Sequence, residues 1–182
     1  QDYLRAIESD SENLPALLAL CDLQEQLGKW HQLCDHLEKT AALEVDQETR
    51  ARLLLRAGTI HLERTGDLEA AARVLARAAG LTPENPAPLF RLAYVYEATG
   101  RHGELIGALR ELLPLIHEEH GQASLLSRIG WLLQNRLGAL EEATHAYRQA
   151  LEAQPGYLPA LQALGTIYRQ LGDYQSLLAI LG

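Results

Sequence analysis

Apolar residues recur along this chain at helical spacing almost without interruption. Leu161, Leu164, Gly165 and Tyr168 stand at i, i+3, i+4 and i+7, one buried stripe of a helix, and Leu54, Ala57, Gly58 and His61 form another. Alternation of the kind that marks strands is not sustained anywhere. The first helix of each hairpin closes on a glycine-centred turn, and Asp173 directly after Gly172 is placed to cap the next helix. Pro83 and Pro155 stop the second helix of a pair, because proline lacks the amide hydrogen that continuation requires. The pattern therefore predicts an all-α chain of helical hairpins.

The hairpins repeat. At an offset of 72 residues Gly28, Gly100 and Gly172 fall in register, as do Leu17, Leu89 and Leu161, and Tyr3, Leu75 and Tyr147. A second set follows the same offset: Gly58 with Gly130, Gly66 with Gly138, Ala71 with Ala143, Pro83 with Pro155. First-helix leucines at 17, 54, 89, 126 and 161 divide each 72-residue unit into two related halves. Small residues (Gly58, Gly130, Gly165 and Ala93 on first helices, Ala71, Ala78, Ala143 and Ala150 on second ones) predict close helix crossings. One hairpin cannot bury its stripe alone, so neighbours must stack into a solenoid.

The run L-x-x-L-G-x-x-Y-x-x-x-G-D-Y at 161–174 resembles the tetratricopeptide repeat signature, and 65–83 and 137–155 resemble its second half. The resemblance covers essentially the whole chain. It implies a right-handed superhelical α-solenoid of stacked antiparallel helix pairs, of the type found in bacterial arrays. On this reading residues 1–182 are one solenoid. A trailing helix spans 3–10, full repeats span 14–45, 48–83, 86–120 and 122–155, and a shortened repeat spans 158–182. Both ends read as internal to a longer array. The chain departs from the signature in two ways: the repeats at 54–83 and 126–155 carry one extra residue between their glycines, and Val45-Asp46 replaces the closing proline of the first. Pro114 falls late in a second helix and predicts an early stop, with 115–120 as a separate turn.

A formal net charge of −8 argues against a nucleic-acid or anionic-membrane surface, since both need a basic field. No apolar run approaches a membrane span, and cytoplasmic location is the default. Lysine occurs only at Lys29 and Lys39 beside many arginines, a composition that fits a GC-rich bacterial gene. Cys21 and Cys34 occupy apolar positions without metal-ligand spacing and read as small buried side chains. His117-Glu118-Glu119-His120 reads as a solvated stretch ending a helix at Gly121 and not as a metal site. The glycines mark hairpin turns and form no phosphate-cradling loop after a strand. No enzyme, cofactor or metal is expected.

The resemblance implies that first helices line a groove in which peptides or folded partners bind. Helical geometry points Arg52, Leu55, Arg56, Thr59 and Glu63 to that side, then Phe90, Arg91, Tyr94 and Glu97, then Ser124, Ser127, Arg128, Trp131 and Asn135. Arg56, Arg91 and Arg128 each stand two residues before the helix-crossing Gly or Ala. Arginine suits bidentate carboxylate recognition and stacking, so an acidic segment is one expected ligand. The other reading is that these arginines pair with Glu63, Glu97 or other neighbours and only solubilise the groove. The Lys and Asn pattern of the family's carboxylate clamp is absent, with Leu18, Ala19 and Asp22 in the first full repeat instead. The expected role is a non-catalytic scaffold binding a protein or peptide partner. The alternative is a structural segment of a larger protein that self-associates through open ends.

Overall fold

The computed structural model describes residues 14–181, so the helix expected at 3–10 and the last residue lie outside the described residues. Ten helices run in order: α1 (Leu14–Gln26), α2 (Trp30–Leu43), α3 (Gln47–Ile60), α4 (Leu68–Leu81), α5 (Pro86–Ala98), α6 (His102–Leu112), α7 (Glu119–Leu132), α8 (Leu140–Ala153), α9 (Leu158–Leu171) and α10 (Tyr174–Leu181). No strand occurs among the described residues. The chain divides into two compact units, one up to Arg101 and one from His102. In each, every helix packs on the next in sequence: α1 to α5 in the first, α6 to α10 in the second.

Punctuation residues set the helix ends. Gly28, Gly66, Gly100, Gly138 and Gly172 all take positive φ, between 65° and 71°, which a side chain would disfavour. Asp46, Asp67 and Asp173 cap the following helices by accepting from the amides of Thr49, Ala70 and Ser176 at 2.7, 3.0 and 3.0 Å. The extra residue of the repeats at 54–83 and 126–155 is absorbed as one π-helical turn, at His61–Thr65 and Leu133–Leu137. Both turns close the same way, with Asp67 N–H donating to His61 O at 3.1 Å and Ala139 N–H to Leu133 O at 2.9 Å. An insertion inside a packed helix widens one turn and leaves the helix on either side intact.

Close crossings explain the small residues. A Cβ on Gly58 would lie 2.5 Å from Leu75 Cγ, and one on Gly130 would lie 2.8 Å from Tyr147 Cε1. Gly165 has more room, its nearest neighbour being Leu177 Cδ1 at 3.7 Å. The first unit's core gathers Leu33, Cys34, Leu37, Leu54, Ala57, Val74 and Ala78. Both cysteines are free and buried. Desolvation, followed by the negative charges of Asp35 and Glu38, pushes the Cys34 thiol up to about 12, which makes it inert near neutral pH.

Pro114 ends α6 at Leu112, and a single 3-10 turn, Leu113–Leu115, follows. The polar stretch after it opens a helix instead of ending one. Glu118 sits at the N-cap position with extended backbone, and Glu119, His120 and Gly121 form the first turn of α7. An acidic first turn suits a helix N-terminus, where unpaired amides carry partial positive charge. Gly121 leaves room for Ile116, which a Cβ would meet at 2.6 Å, and Gln122 Nε2 donates back to Ile116 O at 2.8 Å.

Second helices carry their own ion network. Glu38 on α2 is largely covered and receives both Arg73 guanidinium nitrogens, at 2.7 and 3.0 Å, and Arg77 at 3.2 Å from α4. The nearly buried His61 Nε2 stands 3.8 Å away. Arg73 holds the Glu38 carboxyl below its ordinary range, first by hydrogen bonding and then by charge, against an opposing desolvation effect. A carboxyl depressed in the folded state stabilises fully above its unfolded value, and loses that contribution as pH falls through the folded one. Glu38→Gln should therefore cost about 1 kcal/mol at neutral pH, discounted for the exposure of the arginines. The gap between wild type and variant in urea midpoint should close as pH drops below 4.5. A gap independent of pH would show that the charge contributes nothing.

Candidate functional site

The first-helix face of the first unit, from α1, α3 and α5, holds two open clefts that share a wall. One, of about 470 Å³, is lined by Glu25, Trp30, Arg52, Arg56, Glu63, Arg64 and Arg91, together with Leu55 and Thr59. The other, of about 720 Å³, is lined by Leu62, Glu63, Ala87, Phe90, Arg91 and Tyr94. Arg91 and Glu63 belong to both. Of the residues expected on this face, Arg52, Arg56 and Arg91 meet at one cleft, and Phe90, Arg91 and Tyr94 at the other. Phe90 and Tyr94, one turn apart on α5, are 49% and 61% exposed, large aromatic areas left without a protein neighbour.

The arginines are not all free to meet a ligand. Arg56 pairs with Glu25, and Arg91 Nη1 reaches Glu63 Oε1 at 3.1 Å. Glu25 and Glu63 each stand three residues before the glycine that ends their helix, so the same position of one repeat supplies the acid for the next. Of the two readings left open by the sequence, pairing with neighbouring glutamates is what these two arginines do, although both stay 37% exposed at the side chain. Arg52 donates to Thr49 Oγ1 at 3.0 Å and has no ion pair among the described residues. Arg64 lies over the Trp30 ring at 5.1 Å. Four arginines against two glutamates make the lining of these two clefts net basic on a chain of charge −8.

Glu25, Trp30 and Arg64 were not singled out in the sequence. The glutamate three residues before Gly28, Gly66 and Gly100 is a signal that spacing carries. Trp30 and Arg64 carry none, because they enter the cleft from the first residue of a second helix and from the π turn, outside the regular projection of the first helices.

In the second unit Arg128, Trp131 and Asn135 are exposed on α7 and the π turn after it. Arg136 stacks on the Trp131 ring at 5.3 Å, and Asn135 Nδ2 donates to Trp131 O at 2.9 Å within its own helix. Ser127, expected on the same face, is buried instead, at 8% exposed. A serine is too short to rise out of the layer from which Leu18 and Phe90, at the equivalent positions, protrude. Among the described residues no cluster of three His, Cys, Asp or Glu side chains is placed to hold a metal ion. No helix among them is long and apolar enough to cross a membrane.

Residues 123–157 and 160–181 each match the tetratricopeptide repeat. No curated protein matches the chain in sequence. The fold is shared with solved structures of MamA, one at 22% identity covering 84% of each chain with a TM-score of 0.53. Another, MamA AMB-1, is 19% identical, covers 94% of this chain and 90% of its own, and gives a TM-score of 0.55. YrrB, described as a tetratricopeptide-repeat protein with an unusual peptide-binding site, is 19% identical over 100% of this chain and 89% of its own, with a TM-score of 0.53. Residues 123–157 and 160–181 thus carry tetratricopeptide repeats, and the chain as a whole shares its helical-hairpin fold with solved tetratricopeptide-repeat structures.

Proposed function

We propose that this protein is a non-catalytic interaction scaffold whose first unit binds a peptide segment or partner domain along the face of α1, α3 and α5. The observation that carries the reading is the pair of joined clefts, basic and aromatic on an otherwise acidic chain. Side chains of this kind, Arg and exposed aromatics in a concavity, supply most of the binding energy at protein interfaces. The charge favours a partner with an acidic segment. A described peptide-binding site in YrrB, which shares the fold, points the same way. Arg128, Trp131 and Asn135 form a second exposed Arg–aromatic surface for the same role, considered apart from the clefts.

The test is a displayed random-peptide library panned on wild-type protein and on the Arg56→Ala/Phe90→Ala/Arg91→Ala variant. Peptides enriched by the wild type should lose at least about tenfold in affinity on the variant, roughly 1.4 kcal/mol or more. Far-UV circular dichroism should be unchanged, because all three side chains are partly exposed. Peptides that bind both proteins equally would sink the reading. The alternative of a self-associating segment draws on the exposed Leu171, Tyr174 and Leu178 at α9 and α10. An empty library together with concentration-dependent sedimentation would favour it.

A further inference from the structure

The two clefts differ in chemistry, and the ion pair between them has a consequence for what they accept. On one side Arg52 feels the charge of Asp46 without an ion pair to it and Arg64 has an aromatic partner, so a carboxylate entering there meets charge that is only partly neutralised. On the other side Leu62, Ala87, Phe90 and Tyr94 offer apolar surface and no unpaired cation. Between them Arg91 is already held by Glu63, and at the far edge Arg56 is held by Glu25. Each glutamate stands where a ligand carboxylate would stand. It is tethered at high effective concentration and competes with any acid brought from outside. Surface ion pairs are individually weak, so the competition suppresses a ligand that offers carboxylates alone and not one with a second anchor.

Resting on the reading that this face binds a peptide, we infer that its ligand is a bipartite extended segment: a large apolar or aromatic side chain in the Leu62–Phe90–Tyr94 cleft and an acidic side chain at Arg52 and Arg56. Glu25 and Glu63 act as specificity-determining residues that make the apolar anchor obligatory. Side chains of an extended chain share a face only at every second position, each step of two residues advancing roughly 6.6 Å. The acid and the apolar residue are therefore placed four positions apart, about 13 Å, with three residues between them. The first unit is suited to this anchor, because the groove position that is Leu18, Leu55 and Phe90 in its three first helices is the covered Ser127 in α7.

The test uses the full chain and three fluorescein-labelled peptides in a Gly/Ser background, read by fluorescence anisotropy. One carries Glu and Phe at the stated spacing, one Phe alone, one Glu alone. On the wild type the Glu–Phe peptide should bind at least about tenfold tighter than either single-feature peptide. Glu25→Gln/Glu63→Gln should raise affinity for the Glu-only peptide about three- to tenfold, while Glu84→Gln, an exposed loop control, should leave it unchanged. Phe90→Ala should reduce the Glu–Phe peptide to the level of the Glu-only one. Three results would overturn the inference: a Glu-only peptide that binds the wild type as well as the Glu–Phe peptide, a double Gln variant that behaves like the Glu84→Gln control, or no binding by any of the three peptides. If the displayed library still yields binders lost in the Arg56/Phe90/Arg91 variant, the groove reading survives that failure. If it yields none, both fall.

Discussion

Leu75→Ala should lower the unfolding free energy by about 3 kcal/mol, within the 2–5 kcal/mol typical of emptying a buried leucine site. Leu75 is fully buried on α4, against the backbone of α3 at Gly58. Gly58→Ala alone should cost about 1–3 kcal/mol for the opposite reason, because its Cβ would overlap Leu75 Cγ at 2.5 Å and Cδ2 at 2.6 Å. Neither atom can swing clear in a packed core, so the helices must part. The double variant decides whether the crossing is the cause. In it the new methyl enters the space the leucine has left, and the pair should be less destabilising than the sum of the two singles by at least about 1 kcal/mol. Urea unfolding followed by circular dichroism measures all three. Strict additivity would show that Gly58 has some other role than admitting Leu75.

The corresponding crossing in the second unit, Gly130 with Tyr147, should respond more strongly. Tyr147 is 2% exposed, and its hydroxyl donates to Gln134 Oε1 at 3.1 Å, across the π turn that follows α7. Tyr147→Ala removes a whole ring and should cost about 3–5 kcal/mol. Tyr147→Phe removes only the hydrogen bond, and should cost about 1 kcal/mol with Gln134 free to find water. Tyr147→Leu installs the residue found at the equivalent position of the first unit, and should fall between them. Burial also raises the Tyr147 phenol above its ordinary value. An acid kept neutral in the fold stabilises fully below its unfolded pKa, and loses that contribution as pH climbs through the raised folded one. Wild-type stability should thus decline above about pH 10 more steeply than that of Tyr147→Phe, read as the pH dependence of the urea midpoint. Parallel alkaline profiles would place the hydroxyl in contact with solvent.

These crossings show how far the sequence could be read. The glycines at 58 and 130, set 72 residues apart and opposed by Leu75 and Tyr147 at the same offset, announced close helix contact before any coordinates were known. The exposed face was equally legible where repeats are regular, since the 3.6-residue projection directs Arg52, Arg56, Phe90, Arg91 and Tyr94 to one side. It failed at Ser127, where side-chain length and not direction determines exposure. It also misjudged the stretch 117–121, because Pro114 ends a helix without saying where the next begins. Whether Arg56 and Arg91 stood free or paired was undetermined, as their partners lie on the neighbouring repeat, 31 and 28 residues earlier in the chain.

By itself, then, the sequence determined the class of fold, the residues that start and stop its helices, and the buried stripes. All of these follow from local periodicity and from residues that start or stop helices, interactions spanning a turn or two of chain. Tertiary structure alone decided that Glu25 and Glu63 occupy Arg56 and Arg91, that Trp30 and Arg64 enter the cleft from the start of a second helix and from a π turn, and that the extra residues become π turns. Those outcomes depend on how neighbouring hairpins pack against one another. No local rule of helix spacing contains that information.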